Sequence, residues 1–220
     1  MMIKNCIFDL DGTLLNTLPT IAYYGNYTLE KFGLESLPVD NYRYYCGNGA
    51  KVLIERIMKD AHAKQSMYDE IFEFYNNAYN ADTAYLTKPY DGICEMLEKL
   101  KAAGVKTAVL SNKPDYAAKG AVKNFLGDLI DIVHGGRDGV PLKPNPKGIN
   151  DLLAELNAKR EECLYIGDTD VDMHTGKNAG IYTIGVLWGF RTKDELFCGG
   201  ADMLADSPNE IADAVFNFAK

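Results

Sequence analysis

Pairs of aspartates stand at two points of the sequence where a short apolar run ends. Asp9 and Asp11 follow one such run, and Asp168 and Asp172 follow another. Alternate residues of an extended chain point to the same side, so Asp9 and Asp11 can present two carboxylates to one site. Oxygen-rich sites of this kind suit Mg²⁺ and phosphoryl chemistry. Asp-Gly is also a common turn pair, so one cluster alone is equally consistent with an acidic turn, whereas two clusters favour a metal site.

Lys143 and Ser111 have the chemistry that a phosphate site next to these carboxylates would need. The chain carries 23 Lys and Arg against 31 Asp and Glu, a formal charge of −8, and its pI is near 4.9. Such a protein repels a phosphorylated substrate at long range, so its site requires a local cation. Lys143 can supply that charge, and Ser111 can hold phosphate oxygens. The alternative interpretations are a solvated loop lysine and a serine that caps the following helix.

The composition argues against several classes of protein. Hydrophobic residues make up 47% and charged residues 25% of the 220 residues, which is typical of a globular protein. The acidic charge removes the usual driving force for nucleic-acid binding. The five cysteines form no CxxC pair, which indicates a reducing compartment, and no apolar run approaches the roughly 20 residues of a membrane span. We expect a cytoplasmic monomer or dimer with no nucleic-acid or membrane partner.

The order of predicted elements indicates an α/β body with a helical insertion. Residues 16–86 show apolar residues at helical spacing and no strand-like run. Beyond them strands alternate with helices, which implies parallel strands joined by right-handed crossovers. We therefore predict a doubly wound parallel sheet with a Rossmann-like core, formed by residues 1–15 and 87–220. Residues 16–86 are predicted to form a small α-helical cap domain inserted after the first strand, which we call the cap.

The predicted strands bring the candidate residues together at one edge of the sheet. Strands are expected at 3–8, 105–110, 132–134, 163–166 and 182–186. In such sheets ligands bind outside the carboxyl ends of the strands. Asp9, Ser111 and Asp168 each follow a strand, so they converge on one site if these strands are neighbours. A further helix is predicted to begin with Asn145 as its N-cap and Pro146 at its first position.

Four segments of the chain resemble, in order and spacing, the four motifs of the haloacid dehalogenase-like superfamily. They are Asp9-x-Asp11-Gly12-Thr13, Ser111-Asn112-Lys113-Pro114, Lys143-Pro144-Asn145-Pro146 and Gly167-Asp168-x-x-x-Asp172. The resemblance covers essentially the whole chain, and four ordered motifs are highly specific. Three further segments look like the phosphoglycolate phosphatase branch, namely Gly47-Asn48-Gly49, Trp188-Gly189-Phe190-Arg191 and Gly200-Ala201-Asp202.

The resemblance implies a phosphatase that uses Mg²⁺ and an aspartyl-phosphate intermediate. Asp9 would be the nucleophile, and Asp11 would protonate the leaving alkoxide and then deprotonate the attacking water. Mg²⁺ would bind the Asp9 carboxylate, the Asp11 backbone carbonyl and Asp168. Asp172 would orient the metal shell. The acid at Asp11 also argues against a dehalogenase, whose reaction has no alkoxide of this kind to protonate.

The resemblance also assigns the phosphate-binding residues. Ser111 and Asn112 would hold phosphate oxygens, and Thr13 would belong to the same site. Lys143 would steady Asp9 and the transferring phosphoryl group. A carboxylate that attacks a phosphate dianion brings like charges together, so the metal ion and Lys143 are what make the approach possible.

The cap is expected to select the substrate, a small phosphorylated metabolite with 2-phosphoglycolate as the first choice. A glycolate carboxylate would require a cation, and Arg43 and Lys51, close to Gly47 and Asn48, are the candidates. Ordinary exposure to solvent is the other interpretation of each. Pyrophosphatase, sugar-phosphate phosphatase, nucleotide phosphatase and phosphomutase reactions remain open. A protein that binds a phosphorylated ligand without catalysis is the alternative outside the enzymes.

Overall fold

The computed structural model describes residues 2–218. Its strands are β1 (Asn5–Phe8), β2 (Leu15–Asn16), β3 (Lys88–Pro89), β4 (Lys106–Pro114), β5 (Ile132–Gly136), β6 (Cys163–Gly167), β7 (Tyr182–Val186) and β8 (Met203–Ala205). Its α-helices are α1 (Leu18–Lys31), α2 (Tyr42–Tyr45), α3 (Ala50–Asp60), α4 (Tyr68–Ala81), α5 (Ile93–Ala102), α6 (Asp115–Phe125), α7 (Lys147–Glu155), α8 (Asp170–Ala179), α9 (Lys193–Gly199) and α10 (Pro208–Phe216). Short 3₁₀ turns lie at Val39–Asn41, Gln65–Met67, Gly127–Leu129 and Arg160–Glu162.

Six strands form one parallel sheet in the order β5-β4-β1-β6-β7-β8. Strand β1 pairs with β4 on one side and with β6 on the other, and Phe8 stands opposite Val109 and Ile166. The three strands that the candidate residues follow are therefore neighbours. This topology confirms the predicted doubly wound sheet with a Rossmann-like core.

The sheet is covered by helices on both faces, and β1 shows how the sequence achieves this. Cys6 and Phe8 pack into an apolar core shared with α5 and α10, whereas Ile7 packs on the opposite face with α7. Successive side chains of a strand point to opposite faces, so a strand covered on both sides must be apolar at every position that packs. That is why the short β1 is buried throughout.

Helices α1 to α4 pack around a second apolar core, separate from those of the sheet. Tyr42, Ile54 and Ile71 are among its fully buried members, and Phe190 from the body of the protein also joins it. The antiparallel pair β2–β3 lies where the chain leaves the sheet and returns to it. The boundaries of the cap at 16 and 86 stay a prediction. None of the helices between residues 2 and 218 combines the length and apolar character that a bilayer crossing requires.

The predicted start of α7 is wrong. The helix begins at Lys147 and Pro146 occupies the capping position, so Asn145 is not the N-cap. The Asn145 side chain instead accepts a hydrogen bond from the Lys147 N–H at 2.9 Å. The Asn145 side chain thus satisfies one of the backbone N–H groups that have no partner within the first turn of the helix.

Strand β4 is longer than predicted because the polar segment after Leu110 stays extended as far as Pro114. Strand β8 and helix α9 were not predicted, since both are too short to show a periodic pattern. Helix α9 is nevertheless marked by a capping box, in which Thr192 and Glu195 bind each other's backbone N–H groups.

Candidate active site

A cavity lies between the carboxyl ends of β1, β4 and β6 on one side and the cap on the other. The body contributes Asp9, Asp11, Ser111, Lys113 and Lys143 to its lining, and the cap contributes Cys46, Gly47, Gly49, Tyr75 and Tyr79 among others. The space open to solvent-sized molecules is about 80 Å³. A single water needs about 10 to 15 Å³ measured in this way, so the cavity suits a small ligand.

Asp9 and Asp172 share the ammonium group of Lys143. Lys143 Nζ lies 2.8 Å from Asp9 Oδ1 and 2.7 Å from Asp172 Oδ1, and all three side chains are buried. Asp9 Oδ1 also accepts the Leu10 N–H at 2.7 Å. Both contacts use Oδ1, and no residue between 2 and 218 donates a hydrogen bond to Oδ2. Asp9 is therefore held through Oδ1, and Oδ2 remains available to a ligand.

The electrostatic effects within this trio are strong and opposed. Burial, opposed by Lys143 and aided by Asp172, raises the pKa of Asp9 to about 7. Burial also favours neutral Asp172, but Lys143 outweighs it and lowers the pKa of that carboxyl. Burial would lower the pKa of Lys143, whereas Asp172 and Asp9 raise it above its ordinary value. Lys143 is thus a permanent cation next to Asp9.

Asp168 is the most enclosed carboxylate of the site. Its Oδ1 accepts the Thr13 hydroxyl at 2.8 Å, and its Oδ2 accepts the Phe190 N–H at 2.8 Å. A Cβ atom at Gly12 or at Gly189 would lie 2.2 Å from an atom of the Asp168 side chain, so both positions require glycine for close approach. Burial, together with repulsion from neighbouring carboxylates, raises the pKa of Asp168 well above its ordinary range.

These carboxylates fit a divalent cation. Oxygens of Asp9, Asp168 and Asp172 lie within 4.8 Å of one another. Asp172 already accepts four hydrogen bonds, from Lys143, Tyr165 and Thr169, so it is better suited to orient its neighbours than to bind a metal directly. Asp9 and Asp168 keep spare oxygen lone pairs, and hard oxygen donors are what Mg²⁺ prefers.

Asp11 stands on the side of the cavity that faces the cap, where it pairs with Lys113. Lys113 Nζ lies 3.0 Å from Asp11 Oδ1 and 3.2 Å from Oδ2, and it donates to the Tyr79 hydroxyl at 2.6 Å. Burial would lower the pKa of Lys113, but Asp11 and Tyr79 raise it. Sequence reasoning assigned no role to Lys113. The signal was available, because Lys113 is two residues from Ser111 in an extended segment and so faces the same side.

The predicted phosphate-binding residues are placed in three different ways. Ser111 is buried and lines the cavity, with its Oγ accepting the Lys113 N–H at 3.3 Å. Thr13 is turned away to Asp168, as described above. Asn112 lines the cavity, but its amide group donates to Gly47 O and Lys143 O and accepts the Lys143 N–H. Asn112 therefore joins the Lys143 loop to the cap, and both of its amide N–H bonds are used.

Of the four cap candidates, only Gly47 lines the cavity. Arg43 donates to Gly189 O at 2.9 Å, which directs its charge to a loop of the body. The Asn48 side chain accepts a hydrogen bond from Arg56 at 2.8 Å, and Lys51 is exposed. The structure therefore does not bring Arg43, Asn48 or Lys51 to the cavity wall.

The loop 188–191 contributes contacts that sequence reasoning missed. It supplies the Phe190 N–H to Asp168, and the Trp188 indole N–H donates to Thr13 O at 2.9 Å. Arg191 reaches across to the cap, where it donates to Cys46 O at 3.2 Å. The motif Trp-Gly-Phe-Arg indicated a family branch, but its backbone contacts depend on a fold that no local pattern reveals.

Comparison with known proteins agrees with this geometry. The model of the haloacid dehalogenase-like hydrolase family matches residues 6–186. A phosphoglycolate phosphatase of Aquifex aeolicus is 36% identical over 185 residues, which are 84% of each chain. One of Vibrio parahaemolyticus is 31% identical over 225 residues, covering 97% of this chain and 96% of the other.

A solved structure shows the same agreement in three dimensions. A protein of Lactobacillus delbrueckii subsp. bulgaricus matches with a TM-score of 0.94 at 27% identity, covering 98% of this chain and 99% of that chain. The four motifs, the sheet and these relatives together confirm the predicted family. The chain is therefore a phosphatase that belongs to the haloacid dehalogenase-like hydrolase family.

Proposed function

We propose that the protein hydrolyses 2-phosphoglycolate through an aspartyl-phosphate intermediate and requires Mg²⁺. One observation carries the proposal: the Asp9 carboxylate is held by Lys143 through Oδ1, lies close to Asp168, and lines the same cavity as Asp11. A nucleophile, a cation and a second acid thus meet around the space that a phosphoryl group would occupy. Splitting hydrolysis into two displacements lets one acid and base serve both of them.

In the first displacement, Asp9 Oδ2 attacks phosphorus and the bond from phosphorus to the ester oxygen breaks. Asp11 gives a proton to the departing oxygen, so the alcohol leaves neutral. In the second displacement, Asp11 takes a proton from water, whose oxygen attacks phosphorus and releases Asp9 and inorganic phosphate. Each group returns to its starting state, and no outside reductant or oxidant is needed.

The surrounding residues keep the attack electrostatically possible. Lys143 holds positive charge against Asp9 and the transferring group, and Ser111 offers a hydroxyl to a phosphate oxygen. Asp9 and Asp168 would hold the Mg²⁺, with Asp172 orienting Lys143. The bound metal would supply charge neutralisation for the phosphate dianion.

The choice of 2-phosphoglycolate is supported by two observations. The relatives from Aquifex aeolicus and Vibrio parahaemolyticus are named phosphoglycolate phosphatase, and they align over most of this chain. The cavity between the body and the cap is small, with about 80 Å³ open to water-sized molecules, which suits a small phosphorylated metabolite.

The test is the initial rate of phosphate release from a panel of substrates, each with Mg²⁺ and with a chelator. The panel comprises 2-phosphoglycolate, pyrophosphate, a sugar phosphate, a nucleoside monophosphate and an aryl phosphate. We expect metal-dependent kcat/KM to be highest for 2-phosphoglycolate. A different best substrate would contradict the choice of 2-phosphoglycolate but would still support phosphatase activity. Transfer of phosphate between two positions of a sugar would indicate a mutase, and no turnover of any compound would favour the binding protein.

A further inference from the structure

Lys113 is a buried cation of the cavity for which the proposed reaction has no use. Its side chain is only 6% exposed, yet its ammonium group touches Asp11 and the Tyr79 hydroxyl and lines the cavity. A buried ammonium group is costly unless it is paired, so its retention here calls for a partner of opposite charge. In the structure that partner is Asp11, which the reaction needs for another task.

The second cation, Lys143, is already committed. It lies between Asp9 and Asp172, and both contacts are shorter than 3 Å. Among the described residues that line the cavity, Lys113 and Lys143 are the only ones with a positive side chain. For a substrate with one anionic group at Asp9 and another elsewhere, Lys113 is therefore the positive side chain of this lining that can meet the second group.

The spacing suits two anionic groups on one small molecule. Lys143 forms an ion pair with Asp9, and Lys113 forms one with Asp11. Asp9 and Asp11 are two residues apart, so their Cα atoms are separated by at most about 7 Å. The cap side adds positive potential to the same cavity. Gly49 and Ala50 line the same cavity at the start of α3, whose N-terminus has no side-chain cap.

We propose that Lys113 determines specificity by binding the carboxylate of the substrate in exchange for Asp11. This inference rests on the proposed function, since it names the group that recognises the non-reacting end of 2-phosphoglycolate. One ion pair replaces another, so the buried ammonium group stays paired throughout. Tyr79 holds the same ammonium from the cap at 2.6 Å and keeps it in place during the exchange.

The exchange also has a consequence for catalysis. Lys113 contacts both oxygens of Asp11, at 3.0 and 3.2 Å, so this ion pair must open before the Asp11 carboxyl can turn towards a leaving group. A substrate carboxylate that takes Lys113 releases Asp11 for proton transfer. A phosphate ester without a carboxylate cannot do so. Substrates with a carboxylate should therefore have a higher kcat as well as a lower KM.

The test compares esters that differ only in the carboxylate. One pair is 2-phosphoglycolate with 2-hydroxyethyl phosphate, and the other is 3-phosphoglycerate with glycerol 3-phosphate. In Lys113→Gln we expect kcat/KM for 2-phosphoglycolate to fall about 10²- to 10³-fold, since a buried charge pair is lost. For 2-hydroxyethyl phosphate we expect kcat/KM to stay the same or to rise, because the variant no longer holds Asp11 in an ion pair. Lys113→Arg should recover part of the loss, and Lys119→Gln, on the exposed face of α6, is the matched control.

Each outcome decides one claim. An equal loss of kcat/KM on both members of a pair would overturn the proposal, because Lys113 would then act through Asp11 or the fold alone. No loss on either member would overturn it as well.

If Lys113→Gln does not fold, Tyr79→Phe must lower the carboxylate preference without a shift in thermal midpoint, and an unchanged preference would overturn the proposal. A wild type that prefers 3-phosphoglycerate would refute the choice of 2-phosphoglycolate only. A wild type that prefers the esters without a carboxylate would refute the role of Lys113 but not the phosphatase activity.

Discussion

Arg43 of the cap and Arg191 of the body each donate a hydrogen bond to the backbone of the other side. Arg43 donates to Gly189 O at 2.9 Å, and Arg191 donates to Arg43 O and, at 3.2 Å, to Cys46 O. Phe190, between the two body residues, donates its N–H to Asp168. The contacts that join the cap to the body are therefore one residue away from the contact that positions a candidate metal ligand.

Removal of either arginine should weaken cap closure. We expect Arg191→Met to lower kcat/KM about tenfold, since it loses charge-assisted hydrogen bonds, and Arg43→Met to lower it by a similar factor. The double variant should lose less than the product of the two, because both arginines act on one closure. Arg160→Met, whose hydrogen bond to Ala179 O lies within the body, is the control and should leave the rate unchanged. Fully multiplicative effects would contradict a shared closure.

The two aspartates of the first motif should differ in how much they contribute. Asp9→Asn removes the proposed nucleophile and should abolish turnover. Asp11→Asn removes only the acid and base, which is worth about 10²- to 10⁴-fold in kcat. Single-turnover assays with quench at short times would detect phosphoryl-enzyme in Asp11→Asn and none in Asp9→Asn. The exposed Asp138→Asn is the control, and an Asp9→Asn enzyme with near-normal turnover would remove the nucleophile assignment.

Asp168 should destabilise the metal-free protein. Asp168 is fully buried near Asp9 and Asp172, whose carboxylates repel its charge. Asp168→Asn removes that charge, and the amide can still form hydrogen bonds with the Thr13 hydroxyl and the Phe190 N–H. We expect Asp168→Asn to raise the thermal midpoint in chelator by about 2 °C or more. Mg²⁺ at about 100 times its Kd should stabilise the wild type by about 2.7 kcal/mol but not the variant. A lower midpoint in chelator, or an equal response to Mg²⁺, would count against the metal role.

Gly189 should be sensitive to the addition of a single methyl group. A Cβ atom there would lie 2.2 Å from Asp168 Cβ, so Gly189→Ala must displace that side chain or the loop. We expect a loss of about 1 to 3 kcal/mol of stability and a 10- to 100-fold weaker affinity for Mg²⁺, measured by titration calorimetry. Gly120→Ala in α6 meets open space and should be slightly stabilising. Unchanged metal affinity in Gly189→Ala would show that Asp168 tolerates the displacement.

Asp131 should contribute stability that acid removes. Burial opposes the charge of Asp131, but Lys106 at 2.8 Å and the Thr107 N–H at 2.9 Å lower its pKa. A group whose pKa is lower in the folded state stabilises the protein above its unfolded pKa, about 3.9, and loses that effect as the pH falls through its folded pKa. Asp131→Asn should therefore cost about 1 kcal/mol or less in urea unfolding at pH 7, because the pair is partly exposed, and close to nothing near pH 2. A constant difference at all pH values would exclude this linkage.

The sequence by itself determined the sheet and the position of its chemistry. Apolar runs that end in polar residues define parallel strands, and the carboxyl ends of parallel strands must meet at one edge. Asp9, Ser111 and Asp168 could therefore be placed at one site without any knowledge of side-chain contacts. The order and spacing of the four motifs added the family.

Only the tertiary structure decided the partners of these residues. Lys113 meets Asp11 and Tyr79, which are 102 and 34 residues away, and Arg43 meets a carbonyl 146 residues away. Such contacts depend on how the cap sits on the sheet, and no local periodicity encodes that arrangement. For the same reason Asn112, expected to bind phosphate, is found joining the Lys143 loop to Gly47. Short-range patterns specify elements, whereas the choice of a hydrogen-bond partner is settled only when distant elements pack.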